Sequence, residues 1–358
     1  MVDARPIVGL VSNAKVRRSY IADADLARLN QFADFRWQEF NEPSSWDESP
    51  QTSAQTVAEL TDFARGVDAL VVCHGSPRIG DDILSGARRV TFVGELEGDR
   101  FARRIDVKAA NERGVRAIDT THGSSYPVSE WALALMLIGL RNGGAHFRKL
   151  ADGELWGTPQ QRQTEPEFAM NEELTGKTVG LIGGGYIARR LIEFLRPFRT
   201  KNLVCDPYLP SDIAYAYDFT LTSLDNVMSQ ADVVVCLVPI TPGTHGMIGR
   251  HELSLLRPGS VFVNVSRGAV VQADALVERL RSGDINACLD VFDPEPIPPD
   301  SPVRLMPNVF LSPHIAGTTQ RSRTRFFEEM VSELKRHFAG HETLFDLTQR
   351  TLANRRGE

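Results

Sequence analysis

Residues Thr178–Ala188 read TVGLIGGGYIA. An apolar run of strand length comes first and stops at Gly183-Gly184-Gly185, and Tyr186–Phe194 continues at once as a helix. Strand, G-x-G-x-x-A and helix, in that order, suit a dinucleotide pyrophosphate. Gly183 permits the tight turn, Gly185 lets the backbone approach the phosphates without a Cβ in the way, and Ala188 lets the helix pack close to the strand. The helix N-terminus then presents N–H groups and the positive end of its dipole. A further strand, Asn202–Cys205, ends at Asp206, 23 residues after Gly183. That is near the spacing of the carboxylate that accepts from the adenosine ribose. A carboxylate there repels a 2′-phosphate, which favours NAD over NADP; a strand-end cap is the other reading of Asp206.

Outward from this run, apolar strands alternate with helical segments. Downstream the strands are Asp232–Val238, Ser260–Val265, Ala287–Asp290 and Val309–Leu311, with helices at Leu224–Gln230, Glu252–Leu256 and Asp274–Arg281. Upstream, Ile7–Val11, Ala69–Cys73, Val90–Gly94 and Val115–Asp119 read as strands of the same kind. Such alternation predicts α/β architecture with parallel sheets and crossover helices. Tyr126–Arg141 is a helix apolar nearly all round, so it is buried by a sheet or by a partner subunit. Leu150–Glu173 is polar and reads as a surface excursion, and Arg321–Phe338 as an amphipathic helix.

At 358 residues the chain has room for about two domains. Its formal charge, 40 − 46 = −6, suits neither a nucleic-acid backbone nor an anionic membrane. Cys73, Cys205, Cys236 and Cys288 form no CxxC pair, so no metal is expected, and a reducing cytoplasm fits. Met1–Leu10 lacks the charged-then-apolar pattern of a secretory leader, and the longest apolar run, Trp131–Leu140, is too short for a membrane span.

Three segments place polar groups just beyond apolar strands, where ligands bind in doubly wound sheets. VFVNVSRG puts Arg267 there, LDVFDPEP puts Asp290 and Glu295, and LSPHIAG puts His314. Together with GLIGGGYIA, DVVVCLVPITPGT, NVSRGAVV and SPHIAGTT, these words resemble the D-isomer-specific 2-hydroxyacid dehydrogenases, clearly from about Thr175 to Thr319 and more weakly upstream. The resemblance implies two Rossmann-like doubly wound domains separated by a cleft. The substrate domain would be 1–121 plus 317–358, and the NAD-binding domain 122–316.

It also implies roles. Arg267 binds the substrate carboxylate and C2 oxygen, His314 is the acid/base, and Glu295 orients and charges the imidazole. NAD is met by Gly183, Gly185, Tyr186, Ile187, Asp206, Val238, Pro239, Thr244, Val265, Ser266, Asp290, Ala316 and Gly317. For Asp290 the alternatives are the nicotinamide carboxamide or a structural cap. His74, Gly75 and Ser76 form the substrate loop, with the Gly75 and Ser76 N–H groups as carboxylate donors. Arg78 reads as a second anion contact or a surface group. The helix Val128–Leu140 corresponds to a homodimer contact, and the partner is a small 2-hydroxy or 2-oxo acid. An NAD(H)-sensing protein on the same fold is the alternative. Formate dehydrogenases carry Gln where this chain has Glu295.

Departures from the family pattern lie mostly in the first domain. Its glycine-rich stretch is replaced by GELEGDRFARRIDV, which sets Glu95 and Glu97 between Gly94 and Gly98. Acidic groups there oppose an anionic substrate unless they point away or select a cationic or hydroxyl tail. Leu237 stands where many relatives have His. The chain ends at Glu358, so the regulatory domain of long phosphoglycerate dehydrogenases is not expected.

Overall fold

A computed structural model describes residues 5–43, 49–97, 103–154, 157, 158, 160 and 171–356. Gly98 and most of the excursion expected over 150–173 lie outside the described residues. The chain forms two compact units, Met1–Ser124 with Gln320–Glu358, and Ser125–Thr319.

The first unit holds a parallel five-stranded sheet. Its strands are β1 (Ile7–Ser12), β2 (Asp34–Glu39), β3 (Ala69–Val72), β4 (Phe92–Glu95) and β5 (Arg116–Asp119), in the order β2-β1-β3-β4-β5. Alternate residues feed opposite cores: Ala69 and Val71 pack on one face, Leu70 and Val72 on the other. The long helix Gln320–Phe338 covers one face, with Phe326, Phe327, Met330 and Leu334 at most 1% exposed. Strand β2 escapes the sequence reading. Its DFRWQE is an edge strand with mostly exposed residues, so it carries no apolar run. The strand order reverses between β1 and β3, which opens a crevice at their carboxyl ends.

The second unit holds a parallel seven-stranded sheet. Its strands are β6 (Thr178–Ile182), β7 (Lys201–Cys205), β8 (Thr220–Leu221), β9 (Val233–Cys236), β10 (Val261–Asn264), β11 (Asn286–Leu289) and β12 (Val309–Leu311). The order is β12-β11-β10-β9-β6-β7-β8. Here the reversal falls between β6 and β9. The apolar helix Ser125–Leu140 lies on this sheet: Leu135 and Met136 are fully buried, and Asn286 donates to the Gly139 carbonyl at 2.9 Å. Two short helices, Gly143–Ala151 and Ser211–Tyr217, are not evident in the sequence. The first opens on paired glycines, poor helix formers, and takes in Leu150, expected to begin the excursion. No helix among the described residues is long and apolar enough to cross a membrane.

Candidate active site

The glycine turn sits at the reversal point of the second sheet. Gly183 has φ +100°, and a Cβ there would meet the Leu237 carbonyl carbon and the Val238 nitrogen at 3.2 Å. Both constraints select glycine. At Gly185 a Cβ would meet nothing within 4 Å. This residue caps the ten-residue helix Tyr186–Leu195 without a side-chain cap hydrogen bond. Ala188 is 1% exposed, packed against the core. These features fit a dinucleotide pyrophosphate.

Asp206 is half-buried at the end of β7. Its carboxylate accepts from the Gly184 N–H at 2.9 Å and the Tyr208 N–H at 3.0 Å. The cap is therefore present, and it ties the glycine turn to the neighbouring strand. Tyr186 is exposed and Ile187 half-buried. Arg189, which the sequence reading misses, donates to the Gly184 carbonyl at 3.2 Å and lies over the Tyr186 ring. After β9, Val238 and Pro239 are half-buried. The Thr244 hydroxyl donates to the Pro239 carbonyl at 2.6 Å and accepts from the Thr241 N–H at 2.8 Å. Leu237 is buried and packs in the core.

Three loops leave the sheet side by side, because Asn264, Leu289 and Leu311 are aligned across β10, β11 and β12. On the first, Asn264 accepts from the Ser266 N–H at 3.1 Å and donates to the Arg267 carbonyl at 3.0 Å. This Asx turn sets the direction of Arg267, and the spacing Asn264-x-x-Arg267 was the available signal for it. Arg267 is half-buried and donates to the Ser266 carbonyl at 2.7 Å. Gly268 follows, where a Cβ would lie 1.9 Å from the Phe292 carbonyl. Only glycine lets this loop touch the loop that carries Glu295.

On the third loop, His314 Nδ1 lies 2.6 Å from Glu295 Oε1, and both side chains are partly exposed. His314 has φ +51°, a region few side chains adopt. Asp290 holds it there. The Asp290 carbonyl accepts from the His314 N–H at 2.8 Å. Its carboxylate, fully buried, accepts from the Ser312 hydroxyl and from the Ile315 and Ala316 N–H groups at 2.5, 3.1 and 2.9 Å. Trp131 in turn donates to the Ser312 hydroxyl at 3.1 Å. Asp290 thus fills the capping alternative. Val265, Ser266 and Ala316 are buried as support, and Gly317 is half-buried.

In the first unit, the loop after β3 lies at the other reversal point, joined to the end of β1 by the Asn13 N–H to His74 carbonyl bond at 2.9 Å. Ser76 departs from expectation. Its N–H donates to the Cys73 carbonyl at 3.0 Å and its hydroxyl to the Pro77 carbonyl at 2.9 Å, so the turn is satisfied internally. Gly75 and Ser76 are both buried, which leaves His74 as the half-exposed member of the trio. Arg78 pairs with Asp106 at 2.9 Å. Glu95 is 1% exposed and pairs with Arg104 at 3.2 Å. Glu97 accepts from the Tyr20 phenol. Burial pushes the Glu97 carboxyl up, but His74 and Tyr20 beside it outweigh that and hold it below its usual range. Burial, followed by neighbouring negative charge, raises the Tyr20 phenol far above its ordinary value. Tyr20 and Arg104 were invisible to the sequence reading, since Tyr20 is 77 positions from Glu97.

Residues 133–316 match the D-isomer specific 2-hydroxyacid dehydrogenase, NAD binding domain. The chain is 30% identical over 287 residues to D-3-phosphoglycerate dehydrogenase of Methanocaldococcus jannaschii, a match that covers 80% of this chain and 52% of that protein. It thus spans about half the length of that relative. With glyoxylate reductase of Aeropyrum pernix it shares 31% identity over 285 residues, 78% of this chain and 82% of that one. A phosphoglycerate oxidoreductase from Rhizobium etli has the same fold, with a TM-score of 0.77 at 22% identity, covering 96% of this chain and 98% of that one. The glycine turn and the three strand-end loops fall in or beside the matched segment, and the chain belongs to the D-isomer specific 2-hydroxyacid dehydrogenase family.

Proposed function

We propose that this chain is an NAD-dependent oxidoreductase that moves a hydride between nicotinamide and C2 of a small D-2-hydroxy or 2-oxo acid. The observation that carries the reading is the 2.6 Å contact of His314 Nδ1 with Glu295 Oε1, on loops beside the Arg267 turn. Bound NAD supplies or takes the hydride at its C4. The protein's own groups do the rest. In reduction, His314 donates the Nε2 proton to the C2 oxygen as charge develops there, and in oxidation Nε2 takes it back. Glu295 accepts from Nδ1–H and fixes the ring plane. The planar guanidinium of Arg267 pairs with the acid's carboxylate and C2 oxygen. Asn264 and Asp290 act through others: one sets the Arg267 turn, the other the His314 backbone.

In this reading residues 1–121 with 317–358 form the substrate domain and 122–316 the NAD-binding domain. A homodimer contact through Val128–Leu140 and a cytoplasmic setting belong to it as well. The four free thiols suit a reducing compartment. The test is to mix the protein with NADH and a panel of 2-oxo acids and follow loss of reduced cofactor. Oxidation with at least one acid is expected. Tight NADH binding with no oxidation by any acid would instead identify an NAD(H) sensor.

A further inference from the structure

We propose that Trp131 is a positioning residue for His314, acting through the Ser312 hydroxyl and the Asp290 carboxylate. The inference rests on the reading of His314 as the acid/base. It goes beyond that reading by extending the machinery to a helix that carries none of the reacting groups.

The backbone at His314 has to be held. Its φ of +51° is one that an L side chain leaves unless its surroundings enforce it. Three consecutive N–H groups are tied to one residue. The His314 N–H donates to the Asp290 carbonyl at 2.8 Å, and the Ile315 and Ala316 N–H groups donate to the two carboxylate oxygens at 3.1 and 2.9 Å. Asp290 is fully buried, so the direction of its carboxylate decides the path of this turn.

That direction depends on Ser312. Its hydroxyl donates to Asp290 Oδ1, the oxygen that also receives the Ile315 N–H. A hydroxyl has one hydrogen and is free to turn it elsewhere. Trp131 fixes it. The indole N–H is a donor only, 3.1 Å from Ser312 Oγ, so Ser312 accepts there and its hydrogen is left for Asp290. The donors run one way, from Trp131 to Ser312 to Asp290, and each bond polarises the next. Ser312 is 4% exposed, so bulk water is a poor substitute for the indole. Trp131 itself is half-buried on the helix Ser125–Leu140, its ring against the core of the second unit. The ring packs and the N–H aims; Trp131→Phe keeps the first and loses the second. All four residues belong to one compact unit, Ser125–Thr319.

The test compares the native protein with Trp131→Phe, Ser312→Ala and the double variant. Single turnovers of bound NADH are followed with glyoxylate, pyruvate or hydroxypyruvate, whichever the native protein reduces fastest. Each single variant is expected to slow hydride transfer by about 10- to 100-fold, the scale of a misplaced catalytic group. The KM for the acid and the NADH Kd should stay within about threefold. The double variant should lose no more than Ser312→Ala alone, to within about twofold, because both residues act on one chain. A second measurement needs no turnover. In NMR spectra of histidine-labelled protein at alkaline pH, where imidazoles are neutral, the signal missing from His314→Ala reports this ring. The native ring should hold its hydrogen on Nδ1, facing Glu295, and both single variants should show a mixture of tautomers. An unchanged hydride rate in Trp131→Phe, losses that multiply in the double variant, or a native tautomer in both single variants overturns the inference. A Trp131→Phe protein that melts far lower, or loses KM and Kd in step with the rate, makes Trp131 structural and overturns it as well. No turnover of any acid by the native protein removes the dehydrogenase reading instead, and the tautomer still decides whether Trp131 positions His314.

Discussion

At the end of β6 the chain shows bare backbone: Gly183 in a left-handed turn, Gly185 open in front, and a helix N-terminus behind. At the ends of β3 and β4 in the other sheet it shows side chains, with His74, Glu97, Tyr20 and Arg104 joined in one polar network. The contrast fits what the proposed function asks of each place. A pyrophosphate is an invariant anion, and oriented N–H groups with no side chain in the way meet it. An acid's substituent differs from one substrate to another, and only side chains can discriminate. Buried polar side chains require partners, and here Arg104 and Tyr20 supply them.

The largest expected effect is on the chemistry of the second unit. His314→Ala should lower kcat by about 10³-fold, the scale of a lost general acid, while the NADH Kd stays within about threefold. Stopped-flow turnover and cofactor fluorescence separate the two, and equal losses in both would make His314 structural. Next comes Gly185→Val. Its branched side chain enters the space ahead of the helix, so NADH affinity should fall by about 10- to 100-fold, the value of one charge-assisted hydrogen bond. Because a Cβ at 185 meets nothing within 4 Å, the melting temperature should hold. Gly183→Ala should do the reverse at first, lowering the melting temperature through its positive φ. If the two variants behaved alike, the distinction between an open and a strained glycine would fail.

The same contrast explains what the sequence discloses. Glycines at G-x-G-x-x-A act on their immediate neighbours, so their meaning is contained in eleven consecutive residues, TVGLIGGGYIA. Arg267, Glu295 and His314 stand a few residues beyond three aligned strands, and apolar runs are visible in a sequence. Edge strand β2 lacked such a run. The Tyr20–Glu97 contact spans 77 positions with no periodicity to announce it. Ser76 shows the same limit on a smaller scale: a serine beside glycine suggests a donor, but whether its N–H is already bound to Cys73 is a matter of backbone path.

Asp206 sits between the two kinds of site, a side chain serving a backbone turn. Asp206→Ala removes the charge that repels a 2′-phosphate and should shift the NADPH:NADH kcat/KM ratio by about tenfold toward NADPH. It also releases the Gly184 and Tyr208 N–H groups, so a loss of about 1 kcal/mol in stability should accompany the shift. A changed ratio without that loss would mean that the cap contributes little. An unchanged ratio would mean that another group reads the ribose.

The smallest effect is a slope. The folded protein holds the Glu97 carboxyl below its ordinary range because His74 and Tyr20 outweigh the cost of burial. A carboxyl depressed in the native state adds stability above its unfolded pKa, about 4.3, and loses it as pH falls through the lower folded value. Glu97→Gln keeps the shape and cannot ionise. At pH 7 the variant should therefore melt below the native protein, and the gap should narrow as the pH falls below about 4.5. Melting curves at several acidities measure it. A gap that is constant with pH would show that Glu97 stabilises by packing alone, and the network around His74 would then lack the fixed negative charge assigned to it. A gap that widens on acidification would mean that burial wins and the Glu97 carboxyl is raised in the folded protein, because only such a group adds stability as it takes up its proton.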